Sequence, residues 1–491
     1  MKLGQLAAQA GIDITGGDEL DVTGFAIDSR KVAPGTVFGA FVGSEANGED
    51  YIPAAVKAGA VAIVARAEAQ VEGALHIASG NPRRDFAHLA AGFYRPVPGT
   101  IVAVTGTNGK TSTVELTRQI WNMTGERAAS IGTLGVSTND ERVSTGLTSP
   151  DIATFLANMA GLAREGITHA AYEASSHGLD QFRNEGLPVA AGAFTNLSRD
   201  HLDYHETMDA YFAAKMRLFD EVVVDGGTAV IWTDDAWSDK AIAQAKARGL
   251  SMFTVGEAGA AIKLVARVPG QLGQSLEIEY QGTWRKLHLP LIGAYQAANA
   301  LVSAGLCIAT GSDPDAVFDA LTRVQPVRGR LERAALAVSG APIYIDYAHT
   351  PDALKAAIEA LRPHARGRLI TVFGAGGDRD QGKRPQMGKV AAELSDLVIV
   401  TDDNPRGEEA GEIRAMVLEG TAAGGESARE IGDRREAIGA AIAEAGKDDI
   451  VLVAGKGHEQ GQIVGSGANR RVLPFDDVQV AREMAGSGSK V

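Results

Sequence analysis

Cysteine is all but absent. The single thiol in 491 residues, Cys307, allows no internal disulfide, and its setting LVSAGLCIATG reads as a buried apolar helix. A reducing, cytoplasmic compartment is what this favours. Also missing is any apolar run of about 18 residues, and glutamines interrupt the apolar residues of the opening MKLGQLAAQAGIDITG. Both features argue against a secretion signal and against membrane insertion. Basic residues are outnumbered, with 47 Lys and Arg against 61 Asp and Glu and a formal charge of −14. Such a field repels polyanions, which speaks against nucleic acid or an anionic membrane as partner and requires that any anionic substrate be held by local Arg and Lys. Aromatic residues are few, at 5%, yet 45% of residues are hydrophobic and 22% charged, so the chain is neither disordered nor fibrous.

What is present in excess is glycine, with 59 residues, used where backbone turns tightly or approaches a ligand. At about 150 residues per domain the length predicts roughly three domains. Strand-like runs from Val22 to Ile27, Thr36 to Val42 and Ala60 to Val64 alternate with short helical patterns, until Pro96, Pro98 and Gly99 interrupt them. A smaller α/β domain over 1–98 is the expectation. Repeated strand and helix patterns then run to Leu321, and RVQPVRGRLE, Arg323 to Glu332, reads as a second connector. This gives a central domain over 99–325 and a last domain over 326–491. In the last, Leu369 to Phe373, Leu397 to Thr401 and Ile450 to Ala454 are short apolar strands, each ending in a loop rich in glycine or charge, the pattern of a doubly wound, Rossmann-like sheet. The terminal AGSGSKV reads as a flexible tail.

The central domain opens with an apolar strand, Thr100 to Val104, followed by TGTNGKTS and an amphipathic pattern from Ser112 to Asn122. Glycines at 106 and 109 let backbone N–H groups face a polyphosphate, Lys110 supplies a charge, Thr111 offers a hydroxyl to Mg²⁺, and the helix adds its positive end. ATP is the expected ligand, held by Thr105, Gly106, Thr107, Asn108, Gly109, Lys110, Thr111 and Ser112 in a P-loop-type sheet. Val104 stands where the usual Walker pattern has glycine, so this is a shorter G-x-x-G-K-T variant. In the last domain FGAGGDRDQGKRP, VTDDNPR and VAGKGHE all follow predicted strands. Arg379, Asp403, Arg406 and Glu459 thus bring both signs of charge to one rim, as recognition of an amino acid with separate ammonium and carboxylate groups requires.

The loop GTNGKTS resembles the ATP loop of the Mur ligase family, ATP-dependent amide ligases of peptidoglycan precursor synthesis, a superfamily shared with folylpolyglutamate synthetases. Motifs in all three predicted domains extend the resemblance over nearly the whole chain. It implies ATP and Mg²⁺ as cofactors, with Thr111, Glu173 (in AYEASSHGLDQFR) and His201 (in FTNLSRDHLDYH, beside Asn196, Asp200 and Asp203) as metal residues. Taken alone, Glu173 also reads as a buried hydrogen-bonded glutamate and His201 as a structural histidine. Lys215, four residues after Tyr211 on an amphipathic pattern, reads by itself as a snorkelling surface lysine. The resemblance implies instead that it is carbamylated (N6-carboxylysine), which turns an ammonium into an anionic oxygen ligand.

For the first domain, GFAIDSRKVAPGTVFGAFVG is similar to the UDP-binding domain of the tripeptide-forming members and implies that Ile27, Ser29 and Arg30 contact the nucleotide. A surface Asp-Ser-Arg turn is the plain alternative. Thr148, Ser149, Ser175, Gln181 and Arg183 are the positions that hold the muramoyl dipeptide in the family, and Arg183 suits a carboxylate or phosphate through its planar fork. The motif DNPR resembles the version selecting meso-diaminopimelate, with Arg379, Asp403, Asn404, Pro405, Arg406, Gly455 and Glu459 around that amino acid and Arg406 on its distal carboxylate. Asn299, Arg330, Asp346 and His349 would border the nucleotide, although Asn299 reads equally as a helix-surface residue.

The implied partners are UDP-N-acetylmuramoyl-L-alanyl-D-glutamate and meso-diaminopimelate, for a monomer whose third domain closes on the central one about both connectors. A lysine-adding ligase would differ at the DNPR rim, and a folylpolyglutamate synthetase would not need the first domain. A nucleotide-regulated binding protein would have little use for Glu173, His201 and Lys215 together. A nicotinamide dehydrogenase is disfavoured because GAGGD, Gly374 to Asp378, lacks the third glycine at the required spacing.

Overall fold

The structure is a computed structural model that describes residues 1–43, 46–139, 142–143, 150–270, 272–422 and 428–486. The chain divides into two units. The first contains Met1–Leu264, Tyr280–Gly282 and Asn299–Ala320. The second contains Val265–Glu279, Thr283–Ala298 and Leu321–Val491.

Within the first unit, β1 (Gly24–Ala26), β2 (Thr36–Gly39), β3 (Ala60–Ala65) and β4 (Leu75–Ala78) form a parallel sheet in sequential order. The three strand-like runs of the sequence reappear here, the first two trimmed and the third one residue longer. Helix Pro82–Phe93 packs on this sheet through Phe86, Leu89 and Ala90, its first turn capped by the Asn81 side chain, which accepts from the Arg84 amide.

The central sheet is built on β5 (Thr100–Thr105), in which every residue after Thr100 is buried. Together with β6 (Ala128–Gly132), β7 (Gly135–Ser137), β8 (Arg142–Val143), β9 (His169–Glu173), β10 (Val189–Phe194), β11 (Val223–Trp232) and β12 (Ser251–Gly256) it follows the order β12-β11-β10-β5-β9-β6-β7-β8. Strands β12 to β6 in that order are parallel, and β7 and β8 run antiparallel at the edge. A strand buried on both faces needs a continuous apolar run, and IVAV supplies it. The helix after β5, Lys110–Met123, starts two residues earlier than the periodicity suggests because the chain turns into it at Gly109, with φ 85°. Cys307 is fully buried, its thiol facing the Thr117 carbonyl at 3.8 Å, and burial pushes its pKa well up.

Lying largely in the second unit is a ribbon of three successive strands, β13 (Ile262–Gly270), β14 (Gly273–Tyr280) and β15 (Thr283–Leu289). It is anchored by the buried Gln274, whose amide donates to the carbonyls of Leu291 and Gly293 at 2.9 Å each. The main sheet of this unit comprises β16 (Glu332–Leu336), β17 (Pro342–Asp346), β18 (Leu369–Phe373), β19 (Leu397–Val400), β20 (Ala428–Glu430) and β21 (Ile450–Ala454), in the order β16-β17-β21-β18-β19-β20. All but β16 are parallel. Alternate residues feed two cores. Leu369, Phe373, Val398, Val400 and Leu452 pack with helices Pro351–Leu361 and Lys383–Leu394. Ile370, Val372, Ile399, Val451 and Val453 pack with helices Arg434–Glu444 and Asp477–Gly486. Helices on both faces make this the doubly wound sheet expected, with β21 inserted between β17 and β18 at the point where loops diverge. A last two-stranded ribbon pairs β22 (Gly461–Val464) with β23 (Arg471–Pro474). Among the described residues no helix is long and apolar enough to cross a membrane.

Candidate active site

At the carboxyl end of β5 the loop from Gly106 to Gly109 wraps its own lysine: Lys110 Nζ donates to the carbonyls of Gly106 at 2.9 Å and Thr107 at 2.8 Å. Neighbouring loops fix the turn, since the Asn108 amide donates to Asn196 Oδ1 at 2.9 Å and the Thr195 hydroxyl donates to the Asn108 carbonyl at 2.6 Å. Gly106 and Gly109 have φ of 147° and 85°, which other residues rarely adopt. A Cβ on Gly109 would also collide with the Asn299 side-chain oxygen, so Asn299, 4% exposed, packs against the phosphate loop and is no helix-surface residue.

Lys215 departs from the plain reading of its sequence. It is 1% exposed, donates to the same Gly106 carbonyl at 2.8 Å, and stands 4.3 Å from the centre of the Tyr211 ring. Burial first, and then the nearby Lys110 charge, push its ammonium well below the usual lysine range. It is no snorkelling lysine. Tyr211 in turn faces the Thr107 hydroxyl at 3.2 Å, and burial pushes its phenol up to about 12.

Glu173, at the end of β9, is buried, and its carboxylate accepts from the Thr133 amide at 2.7 Å and the Thr133 hydroxyl at 3.2 Å. Thr111 faces that hydroxyl at 3.5 Å. His201 has a left-handed backbone, φ 52°, places Nε2 3.5 Å from Asp200, and stands edge-on to His177 with ring centres 4.9 Å apart. His177, Tyr204 and His205 complete an aromatic cluster around it that sequence reading did not single out. Their close spacing, in SSHGL and DYH, was the available signal.

The other positions expected in this unit fall on two clusters. Ile27 lines a cleft with Phe25, Asp28, Lys31, Tyr94 and Asp151. Arg30 folds back on Asp28, with Nε–Oδ1 2.9 Å and NH2–Oδ2 2.8 Å, holding that carboxyl down to about 2, while Ser29 lies in the same short turn. Ser175 caps helix Ser176–Asp180 by accepting from the Gly178 amide at 3.0 Å. Gln181 accepts from Arg183 at 2.5 Å and donates to Tyr204, whose hydroxyl donates to Asp180 at 2.6 Å. Thr148 and Ser149 lie outside the described residues.

The second unit gathers its expected residues on the loops after β17, β18, β19 and β21. Asn404 and Arg406 both have left-handed backbones, φ 46° and 52°. Asn404 donates to Glu459 at 2.8 Å and accepts from Lys456 Nζ at 3.0 Å and the Ile463 amide at 2.8 Å. Arg406 donates to the carbonyls of Gly377 at 2.9 Å and Asn404 at 3.3 Å, across Pro405. Gly455, with φ 116°, is required because a Cβ there would overlap Asp403 Oδ2. Arg379 is exposed and donates to the Asp378 carbonyl.

Sequence reading passed over Lys456, which is fully buried and stands 3.1 Å from Asp403 Oδ1, and also Arg384, whose buried guanidinium bridges Glu408 and the Gly376 carbonyl. A lysine between two glycines reads as a solvated loop charge until the fold encloses it. Beside these, Asp346 accepts from the amides of Leu331 at 2.7 Å and Ala348 at 2.9 Å, and burial raises its carboxyl to about 6. Arg330 lies over the Tyr347 ring at 5.0 Å, and His349 Nδ1 faces the Tyr347 carbonyl at 2.8 Å.

Family models cover all three regions. Residues 21–96 match the Mur ligase family catalytic domain, 104–307 the Mur ligase middle domain, and 329–457 the Mur ligase glutamate ligase domain. A UDP-N-acetylmuramoyl-L-alanyl-D-glutamate–2,6-diaminopimelate ligase of Zymomonas mobilis is 59% identical over 98% of both chains. The chain belongs to the Mur ligase family. A ligase with the same name as the Zymomonas protein, from Bradyrhizobium diazoefficiens, is 54% identical over 93% of each chain. A solved structure of a ligase of the same name superposes with TM-score 0.75 at 32% identity over the whole of both chains. A MurF ligase from Thermotoga maritima in complex with ADP, 19% identical with TM-score 0.61 over 95% of this chain and 97% of that one, shares the fold.

For a Mur ligase the oxygen donors of Thr111, Thr133 and Glu173 are a hard set that fits Mg²⁺, which prefers carboxylate and hydroxyl or water oxygen. Among the described residues no three His, Cys, Asp or Glu side chains converge on a metal-sized space. Lys215, as a lysine, brings no oxygen of its own to that set.

Proposed function

We propose that this Mur ligase adds meso-2,6-diaminopimelate to UDP-N-acetylmuramoyl-L-alanyl-D-glutamate in peptidoglycan precursor synthesis. It acts as an ATP-dependent acid–amino-acid ligase that forms ADP and phosphate, working as a cytoplasmic monomer with domains 1–98, 99–325 and 326–491. The observation that carries the reading is the mixed-charge notch in which buried Asp403, Asn404 and Lys456 meet half-buried Arg406 and Glu459. The full-length likeness to relatives named for this substrate pair supports it.

ATP phosphorylates the side-chain carboxylate of D-glutamate to an acyl phosphate, and the amine of diaminopimelate attacks its carbonyl carbon with loss of phosphate. Lys110 exchanges the Gly106 and Thr107 carbonyls for phosphate oxygens, while the amides of the loop and of the helix start face the polyphosphate. Mg²⁺, held by Thr111, Glu173, His201 and the Lys215 carbamate, would neutralise charge on the transferred phosphoryl group. Asn299, Arg330, Asp346 and His349 border the nucleotide. Ile27, Ser29 and Arg30 hold the uridine end, and Thr148, Ser149, Ser175, Gln181 and Arg183 hold the muramoyl dipeptide.

In the notch, Asp403 and Glu459 take the ammonium group. Arg406 takes the distal carboxylate, and a guanidinium left without that carboxylate makes lysine a costly substitute. The test is phosphate release from ATP and the muramoyl dipeptide nucleotide with either amino acid. Turnover with diaminopimelate and little with L-lysine is expected, and the reverse preference would assign the chain to the lysine-adding ligases.

A further inference from the structure

Behind the notch lies a second buried ion pair. Arg434 opens helix Arg434–Glu444 and Asp477 opens helix Asp477–Gly486, with side chains 2% and 0% exposed. Their contact is bidentate: Arg434 Nε donates to Asp477 Oδ1 at 2.8 Å and NH2 to Oδ2 at 2.7 Å. The guanidinium has donors left over, and it aims them at the two loops that build the notch. NH2 also donates to the Ala454 carbonyl at 2.9 Å, immediately before Gly455, and NH1 donates to the Asp402 carbonyl at 3.3 Å, immediately before Asp403.

One planar fork therefore sets the spacing between the end of β19 and the end of β21. Those ends carry Asp403 on one side and Lys456 and Glu459 on the other. Asp403 Oδ2 nestles against Gly455 so closely that no Cβ fits, and Arg434 NH2 lies 3.8 Å from that same point. The adjoining turn repeats the tie, since the Asp402 amide and the Thr401 hydroxyl both donate to the Gly432 carbonyl, at 3.2 and 3.0 Å. A buried pair is weak evidence for stability as such, because desolvation offsets much of the attraction. Its geometric output, two carbonyls held by a rigid guanidinium, is what a lysine or a neutral partner cannot reproduce.

We infer that Arg434, oriented by Asp477 of the C-terminal helix, is a positioning residue for the amino-acid site: it fixes Asp403 relative to Lys456 and Glu459 and so sets affinity and selectivity for the incoming amino acid. The inference rests on the ligase reading above.

The test uses the full-length chain with Arg434→Lys, Asp477→Asn and Asp477→Glu, measuring ADP release while each of the three substrates is varied in turn. A displacement of binding groups by about 1 Å is expected to raise KM for diaminopimelate roughly 10- to 100-fold in Arg434→Lys and Asp477→Asn. KM for ATP and for the muramoyl nucleotide should stay at the wild-type value, discrimination against L-lysine should narrow, and Asp477→Glu should recover part of the loss. An unchanged KM for diaminopimelate, or an equal rise for all three substrates, would overturn the inference. So would failure of all three variants to fold, which would make the pair a stabilising element. If wild type takes lysine in place of diaminopimelate, the substrate reading fails, while the variants' effect on KM for lysine still decides the role of Arg434.

Discussion

The side chains of Lys110 and Lys215 converge on the carbonyl of Gly106, and burial, with the Lys110 charge added to it, pushes the Lys215 ammonium well below the usual lysine range. Lys110→Ala is expected to lower phosphate release by on the order of 10²–10³-fold or more, as removal of a charge-stabilising donor does. Lys215→Arg should be inactive as well, because a guanidinium forms no carbamate, and added carbon dioxide should not restore it. Normal turnover in that variant would refute the carbamate.

Asp346 gives a pH signature. Its folded pKa, about 6, lies above the ordinary 3.8, so the protonated form is favoured on folding. The corresponding stabilisation is complete below about pH 4 and lost as pH rises through about 6, an amount of roughly 3 kcal/mol at most. In Asp346→Asn that slope should vanish, so thermal unfolding of wild type and variant compared from pH 4 to 7 should show wild type losing ground. Parallel curves would remove the buried-acid assignment. Neither the depth of Asp346 nor that of Lys215 could be read from the sequence, because each stands in a segment whose pattern permits an exposed side chain. Burial there is decided by elements distant along the chain.

Strands with a continuous apolar run were legible almost to the residue. Leu369–Phe373 and Ile450–Ala454 emerge with the ends the pattern predicts, and Leu397–Val400 stops one residue short. Such runs have one stable environment, a parallel strand covered on both faces. Loops at their ends were legible as chemistry, since glycine and paired charges mark them, but not as networks. Lys456, Arg384 and Arg434 became visible only once the loops were assembled. At this scale Gly455→Ala is a sharp probe: it forces a side chain into a left-handed position against Asp403, and diaminopimelate turnover should fall by about 10²-fold while ATP binding persists. Arg406→Ala should lower the diaminopimelate preference over lysine by about 1.5–3 kcal/mol, the range for a charged hydrogen bond, read as the ratio of kcat/KM values.

For the whole molecule, the least legible property was which segments travel together. The ribbon of β13, β14 and β15 is grouped largely with the C-terminal sheet in one compact unit. There His364, just beyond helix Pro351–Leu361, faces the Gly270 carbonyl. A pattern of strands and turns tells where such a ribbon forms, not which body it joins. A fragment of residues 326–491 should therefore be less stable to heat than the same unit within the intact chain, since it forfeits that contact. An equal transition temperature would count against the division.

The lone thiol at Cys307 sits fully enclosed beside Thr117, with its ionisation suppressed. Maleimide chemistry requires an accessible thiolate, so the native chain is in effect a silent background for labelling. Cysteines introduced singly on the exposed faces of the two units would take fluorophores without removal of the natural one, and the separation between dyes could be followed as each substrate is added.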